Sequence, residues 1–148
     1  ATQGSEETFI AKTIADEAME SILTARETAN IPWASIANTG AGGIFLTGFQ
    51  PCDNAGADGI YGTADDAAAG TQTLQLPGPD GIFGTGDDIF LGLNNYQRQI
   101  VILPALNAAG APIGNLNTVT ITVQYLNPQF DTAIPQTYTL STYISPYR

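Results

Sequence analysis

Residues 57–66 read ADGIYGTADD and residues 79–88 read PDGIFGTGDD, so one phrase of ten residues occurs twice at an offset of 22. Seven of its ten positions are identical, and an eighth replaces Tyr61 with Phe83. The stretch 53–88, which holds both copies, contains seven of the chain's 14 acidic residues and no Lys or Arg. Because carboxylates at this density repel one another, the stretch is either a solvated acidic loop or a loop closed around a hard cation.

The glycines and the apolar residues of each copy favour the loop closed around a cation. Gly59 and Gly62, and their counterparts Gly81 and Gly84, permit turns with positive φ that let carbonyl and carboxylate oxygens converge. The Ile–aromatic pair of each copy predicts a buried anchor, which a solvated loop does not need. Such oxygens are the ligands that Ca²⁺ prefers, at about 6–8 per ion. The stretch therefore predicts two Ca²⁺ sites with a structural rather than a catalytic role.

Each predicted site combines a first Asp, an oxygen near the Thr, and one or both of the closing Asp residues. An EF-hand is excluded, because that loop has acids at alternating positions and ends in Glu. The candidate ligands are Asp53, Asp58, Thr63, Asp65 and Asp66 for the first site, with Asn54 as a possible addition, and Asp80, Thr85, Asp87 and Asp88 for the second.

Composition limits the class of protein. The chain has 148 residues, which predicts a single domain over 1–148, and 12% of them are charged, about half of the usual ~25%. The net charge of −10 argues against binding to nucleic acids or to anionic membranes, since both require basic patches. Two bound Ca²⁺ would bring the net charge to about −6. A calcium-rich compartment, and hence an extracytoplasmic location, is the expectation.

Cys52 is the single cysteine, so no disulfide within the chain is expected. No segment approaches the ~18 consecutive apolar residues of a membrane span, so the chain as given is not expected to contact a membrane. The first residue is Ala1 rather than Met, which indicates a processed or truncated chain, and a missing N-terminal segment could anchor it.

One amphipathic helix is predicted over residues 5–29, with Ser5 as its N-cap and Pro32 beyond its end. Four apolar residues recur at every fourth position and form a stripe along the helix. Three further apolar residues lie beside this stripe and broaden it. These residues are Ile10, Ile14, Ala18 and Ile22, then Phe9, Met19 and Leu23.

The rest of the chain predicts a connector, a loop region and a sheet. The connector covers 30–50, with Trp33 and Ile36 under the helix end and a short strand at 44–46. The loop region covers 51–90 and contains a half-exposed strand at 71–76. Residues 91–148 predict an antiparallel meander of three strands, at 98–103, 118–125 and 137–144. The first should be central because it is apolar on both faces, and a bulge should turn Tyr143 inward in the third. The fold class is α+β, with the helix packed on a mainly antiparallel sheet.

Three stretches together resemble the globular part of type IV pilins and type II secretion pseudopilins, and in particular PilV-like minor pilins. They are the helix from Ile10 to Arg26, the doubled Asp-Gly-Ile-aromatic-Gly-Thr-x-Asp-Asp phrase, and the strand Val119–Val123 with the ending Leu140–Ile144. The leader peptide and the long apolar helix of that family are absent from the sequence. The resemblance implies an extracytoplasmic filament subunit, with copies of itself or other pilin-like subunits as partners and, as in several pseudopilins, a Ca²⁺ that orders a loop.

The chain has no His, which excludes a Ser-His-Asp triad and any His metal ligand, and an enzyme is not predicted. Two non-enzymatic functions are therefore open. One is a structural subunit of an extracellular filament that is stabilised by Ca²⁺. The other is a secreted, monomeric, Ca²⁺-stabilised binding or adhesion module.

Overall fold

The computed structural model describes residues 3–76, 79, 81, 82, 84, 86, 89–125 and 135–147, and describes only the backbone of residues 3–7, 75, 76 and 89. One long N-terminal helix packs on an antiparallel sheet, which confirms the α+β class. The elements are helix α1 (Gln3–Glu27), 3₁₀ turns at Trp33–Ser35 and Thr39–Ala41, strand β1 (Gln50–Pro51), helix α2 (Asp66–Ala69), and strands β2 (Thr73–Leu76), β3 (Ile89–Gly92), β4 (Tyr96–Leu106), β5 (Pro112–Tyr125) and β6 (Gln136–Ile144).

Helix α1 buries the predicted stripe against β5 and β6. Ile10, Ile14, Ala18, Ile22 and Met19 are buried and Leu23 is half-buried, whereas Phe9 is 59% exposed. The second row of the stripe consists of Ala11, Ala15 and Ala25 instead, whose small side chains let the helix lie close to the sheet. Ser5 lies inside the helix rather than at its N-cap, so that prediction was wrong. In the described ranges, no helix has both the length and the apolar character that crossing a membrane requires.

The end of α1 is set by a backbone motif and not by Pro32. The amide of Asn30 donates to the carbonyl of Ala25 at 3.0 Å, and the amide of Ala29 donates to that of Arg26 at 3.2 Å. This is the Schellman pattern, and it places Ala29 in the left-handed region with φ 56°. The Arg26 guanidinium then donates to the carbonyl of Tyr147 at 3.0 Å, which ties the helix end to the last described residues.

The main sheet has the order β1-β4-β5-β6, and all its pairs are antiparallel. Strand β5 is the long central strand, and its Val119, Ile121, Val123 and Tyr125 are buried as predicted. Strand β4 pairs along one edge with β5, and along its other edge with only two residues of β1. The place of β4 between β1 and β5 agrees with the predicted central position, but its second apolar face is not fully covered, since Leu103 is 60% exposed.

Strand β6 pairs with β5 in an unbroken register from Asn117↔Ile144 to Tyr125↔Gln136. Alternation alone therefore turns Ile144 inward, at 2% exposed, and Tyr143 outward, at 68% exposed. The predicted bulge at Tyr143 was wrong. The connector predicted at 107–117 is shorter, since β5 begins at Pro112, and most of the one predicted at 127–136 lies outside the described residues.

Residues 44–46 do not form a strand. Phe45 is fully buried and makes only isolated bridges to Asn38 and Thr63. The Asn38 amide lies against β4, donating to the carbonyl of Ile100 and accepting from the amide of Ile102, both at 2.8 Å. The predicted strand at 71–76 is present as β2, and it pairs with β3 in a separate sheet of two strands that was not predicted.

Candidate metal centre

Three carboxylates of the first copy of the phrase converge. Asp58, Asp65 and Asp66 each place one oxygen within 4.8 Å of the others. Asp66 is the buried member and starts helix α2, whereas Asp58 and Asp65 are half-buried. The closing Asp-Asp pair and the first Asp of the copy are therefore brought together as the sequence predicted.

Backbone amides hold these carboxylates in place. The amide of Ile60 donates to Asp58 Oδ1 at 2.9 Å, and that of Asp58 donates to Asp65 Oδ2 at 3.0 Å. The amide of Gly62 donates to Asp66 Oδ2 at 2.6 Å. Gly62 has φ 88°, and a Cβ on it would meet Ile100 Cδ1 at 2.5 Å, so both the turn and the close approach to β4 require glycine.

Thr63 lies at the centre of the cluster and is 4% exposed. Its Oγ1 lies 2.6 Å from Asp65 Oδ1, 2.9 Å from Asp58 Oδ2 and 3.1 Å from Asp66 Oδ1. The carbonyl oxygen of Ile60 lies 3.2 Å away. A hydroxyl has a single proton, and ionised carboxylates and carbonyls only accept. While the carboxylates are ionised, at most one of these four contacts can therefore be a hydrogen bond, because Thr63 has one proton to donate.

The electrostatic environments of the two closing carboxylates differ. The Thr63 hydroxyl and the amide of Asp58 lower the pKa of Asp65, because they stabilise its charged form. Burial raises the pKa of Asp66, and the amides of Gly62 and Gly56 oppose that rise. Within the described residues the one ion pair is Lys12–Asp16 on the helix, so no basic side chain pairs with the cluster.

Gly56 belongs to the site although the sequence reasoning did not select it. Its amide lies 3.3 Å from Asp66 Oδ1, and a Cβ on it would meet the Asp65 carboxylate at 2.5 Å. A signal was present, because the residue 22 positions later is Gly78. The repeat thus extends one residue further toward the N-terminus than the phrase of ten.

Two predicted members of the first site are placed elsewhere. Asp53 is not part of the carboxylate cluster; it bridges Thr71, and its carbonyl accepts from Arg98 at 3.5 Å. Asn54 donates from its amide nitrogens to the carbonyls of Gly70 and Ala69. Both residues close the base of the loop, so their inclusion among the converging ligands is not supported by the geometry.

The second copy is described only in part. Asp80, Thr85, Asp87 and Asp88, and the aromatic Phe83, lie outside the described residues. Gly81 and Gly84 have φ values of 70° and 84°, close to the 72° and 88° of Gly59 and Gly62. The backbone at these glycines therefore repeats, but the burial does not, since Ile82 is 60% exposed and Ile60 is 1% exposed. The predicted buried anchor was right for the first copy and wrong for Ile82.

A polar cluster beside the first copy connects it to the helix and the sheet. The ring of Tyr61 lies against the guanidinium of buried Arg98, with 4.9 Å from Cζ to the ring centroid. Glu17 of α1 accepts from the Gln72 amide at 3.3 Å, and the positive charge of Arg98 acts on its carboxylate. Burial raises the pKa of Glu17, and its hydrogen bond to Gln72 and the charge of Arg98 oppose that rise. Three segments distant in sequence thus meet through one set of polar side chains.

Cys52 is 1% exposed at the base of the loop. Burial raises the pKa of its thiol to about 11. At neutral pH the thiol is protonated, which makes it a small core side chain rather than a nucleophile or a metal ligand.

No protein-family model matches the chain, and no curated protein or solved structure shows significant similarity to it.

Proposed function

We propose that this chain is a structural, non-enzymatic subunit of an extracellular filament of the pilus or pseudopilus kind, stabilised by Ca²⁺ in the two Asp/Gly loops. The observation that carries the calcium proposal is the crowding at Thr63. Three carboxylate oxygens and a carbonyl oxygen surround one hydroxyl, with a single proton among four contacts. A divalent cation would replace that oxygen–oxygen repulsion with attraction.

The donor set fits calcium better than other common metals. Asp58, Asp65, Asp66, Thr63 and the Ile60 carbonyl supply only oxygen, and the chain contains no His. Calcium takes about 6–8 oxygen ligands in flexible geometry, so water would complete the shell. Zinc prefers sulfur and nitrogen donors, and the only cysteine is buried with a protonated thiol.

The second Ca²⁺ site is proposed because the second copy of the phrase repeats the ligand positions of the first. Its Asp80, Thr85, Asp87 and Asp88 occupy the positions of Asp58, Thr63, Asp65 and Asp66, and its two glycines share the backbone conformation of the first copy. The filament role is supported by the arrangement of a long helix on an antiparallel sheet and by the resemblance of the sequence to pilins.

Calorimetric titration of the full chain tests the calcium proposal. The wild type should bind two Ca²⁺, and Asp58→Asn and Asp80→Asn should each bind one. Asp16→Asn removes a carboxylate that pairs with Lys12 outside the loops and should still bind two. At a calcium concentration a hundredfold above Kd, each site should add about 2.7 kcal/mol to the free energy of unfolding. Unchanged melting and unchanged proteolysis of residues 53–88 in EDTA would contradict the proposal.

Electron microscopy tests the filament role. The chain with its native N-terminus should form ordered polymers in calcium, and chelation should reduce them. A monodisperse monomer in both conditions, with calcium still bound, would favour the secreted monomeric adhesion module instead.

A further inference from the structure

The two edges of the main sheet differ in how they are covered. The edge of β4 is occupied by β1 at Gln97 and Arg98 and by the Asn38 side chain at Ile100 and Ile102. In the part of the chain that the structure describes, the outer edge of β6 has no such cover: β6 pairs with β5 and contacts α1 on one face.

Strand β6 also lacks the features that prevent edge strands from pairing. Its nine residues contain no charge and no Pro, and its register with β5 has no bulge. Lys, Pro and bulges are the usual protections of an exposed edge. A strand of this kind offers a row of backbone donors and acceptors to another extended chain.

Strand β6 and its partner strand β5 carry no charged side chain. Residues 99–130 and 132–147 contain no Asp, Glu, Lys or Arg, while 13 of the 14 acids lie in residues 6–27 and 53–88. The outward residues of β6 are the exposed Thr137, Thr139, Ser141 and Tyr143. The strand edge itself therefore brings no like charges into the pair, and the nearest acids are those of helix α1, which contacts the inward face of β6.

The sequence of β6 is complementary to itself when it is read in the opposite direction. An antiparallel pair centred on Leu140 places Tyr138 opposite Thr142 of the second copy and Thr137 opposite Tyr143. It also places Thr139 opposite Ser141, and Leu140 opposite itself. Aromatic–β-branched and Thr–Ser pairs are favoured across antiparallel strands. The same chemistry joins β5 to β6, where the hydroxyls of Thr120 and Ser141 lie 3.1 Å apart.

We propose that β6 is a homotypic interface, at which two copies of this chain pair their β6 strands antiparallel about Leu140 and continue the sheet from one copy into the next. The pair has two-fold symmetry and forms about eight or more backbone hydrogen bonds over nine residues. It uses neither the calcium loops nor helix α1, so it stands or fails independently of the proposed function.

Sedimentation velocity over a range of concentrations tests the interface. Thr139→Lys combined with Ser141→Lys brings Lys opposite Lys twice in the pair, and should weaken dimerisation by about tenfold or more. The matched control is Gln97→Lys combined with Gln99→Lys, which puts the same charge on β4 of the same sheet and should dimerise like the wild type. An equimolar mixture of the Lys double variant with Thr139→Glu/Ser141→Glu should form heterodimers, because each Lys then faces a Glu.

Cross-linking tests the register. Leu140→Cys should form a disulfide across the axis under mild oxidation, since directly opposed Cα atoms lie about 4.5–5.5 Å apart. Thr137→Cys, which faces Tyr143 of the second copy, should not. A wild type that stays monomeric at all concentrations, or Lys variants that dimerise as well as the control, would overturn the interface, and equal cross-linking by both Cys variants would overturn the register. Repeating the sedimentation in EDTA separates these outcomes from a loss of calcium.

Discussion

Ile60 and Ile82 occupy the same position of the repeated phrase, yet Ile60 is 1% exposed and Ile82 is 60% exposed. The first copy is therefore part of the core, beneath α1 and β4, while at Ile82 the second copy faces solvent. The same short sequence thus has two structural roles. In the first copy, packing of Ile60 adds to the backbone turns, so that loop is held by the core as well as by its own hydrogen bonds.

We expect the two isoleucines to respond differently to truncation. Ile60→Ala should lower the free energy of unfolding by about 2–5 kcal/mol, because it removes buried methylenes and leaves a cavity. Ile82→Ala should change it by less than about 0.5 kcal/mol, as is usual for exposed positions. Urea denaturation of both variants measures the difference. Equal losses would mean that the second loop also packs on the core in solution.

Gly62 and Gly59 form a second matched pair. Both have positive φ, so replacement by Ala strains the backbone by about 1–2 kcal/mol in each case. Only at Gly62 does the new Cβ also meet Ile100 Cδ1, whereas at Gly59 it meets nothing within 4 Å. Gly62→Ala should therefore cost about 1–3 kcal/mol more than Gly59→Ala, through overpacking against β4. Thermal melts in EDTA measure the folding effect without calcium, and similar melting temperatures for the two variants would contradict it.

Ala29→Gly should stabilise the protein. Ala29 sits in the left-handed region with φ 56° at the end of α1, where Gly carries no steric penalty. The expected gain is about 1 kcal/mol in the free energy of unfolding. Glu20→Gly on the exposed face of the helix is the control and should lose about 1 kcal/mol. A loss at both positions would show that the Schellman end does not form in solution.

Glu17→Gln should remove a pH dependence. Burial raises the folded pKa of Glu17 above its ordinary 4.5, so the folded state binds this proton more tightly than the unfolded state does. That contribution is fully present below pH 4.5 and is lost as the pH rises through the raised pKa. The variant should consequently be more stable than the wild type at neutral pH, with the difference shrinking toward pH 4.5.

Urea midpoints measured between neutral pH and pH 4 test this effect in the presence of EDTA. Gln at position 17 can still accept from Gln72, so packing and hydrogen bonding are retained. Glu20→Gln, on the exposed face of the same helix, is the control and should follow the wild-type curve. Parallel curves for Glu17→Gln and the wild type would show that the hydrogen bond to Gln72 and the charge of Arg98 fully offset the cost of burial.

Thr63→Val tests the centre of the proposed calcium site. The substitution keeps the shape of the side chain and removes the one hydroxyl among three carboxylates. Calcium affinity of the first site should fall by about tenfold or more, equivalent to a loss of about 1.4 kcal/mol. Calorimetry should then resolve one weakened and one unchanged site. Thr13→Val, which removes a hydroxyl from the helix surface, should leave both sites unchanged, and an unaltered first site in Thr63→Val would exclude Thr63 as a ligand.

Much of the fold could be predicted because its patterns are periodic. The stripe of α1 and the alternation of Val119, Ile121 and Val123 specify which faces are buried, and both predictions were confirmed. Phe9 was misplaced because its size was taken as a sign of burial, and Tyr143 was misplaced because a bulge was assumed where the alternation is unbroken. The three small alanines of α1 define the buried side of the helix better than the large Phe9 does.

The candidate site was predictable to the same degree. Repetition identified Asp58, Asp65, Asp66 and Thr63, which converge. Asp53 was included because it is acidic and close in sequence, but its bridge to Thr71 places it at the base of the loop, just after strand β1. The different burial of the two copies depends on contacts with α1 and β4, which are distant in sequence and cannot be inferred from the phrase itself.

Cys52 supplies the molecule with an internal chemical reporter. Its thiol is 1% exposed and its pKa is raised to about 11, so alkylating reagents meet neither an accessible nor an ionised sulfur in the closed protein. Labelling can proceed only in those moments when the segment around 52 swings away from the core. The alkylation rate of Cys52 in the unmodified chain therefore measures how often the base of the loop opens. A slower rate in the presence of Ca²⁺ would show, without an added probe, that the cation closes this segment.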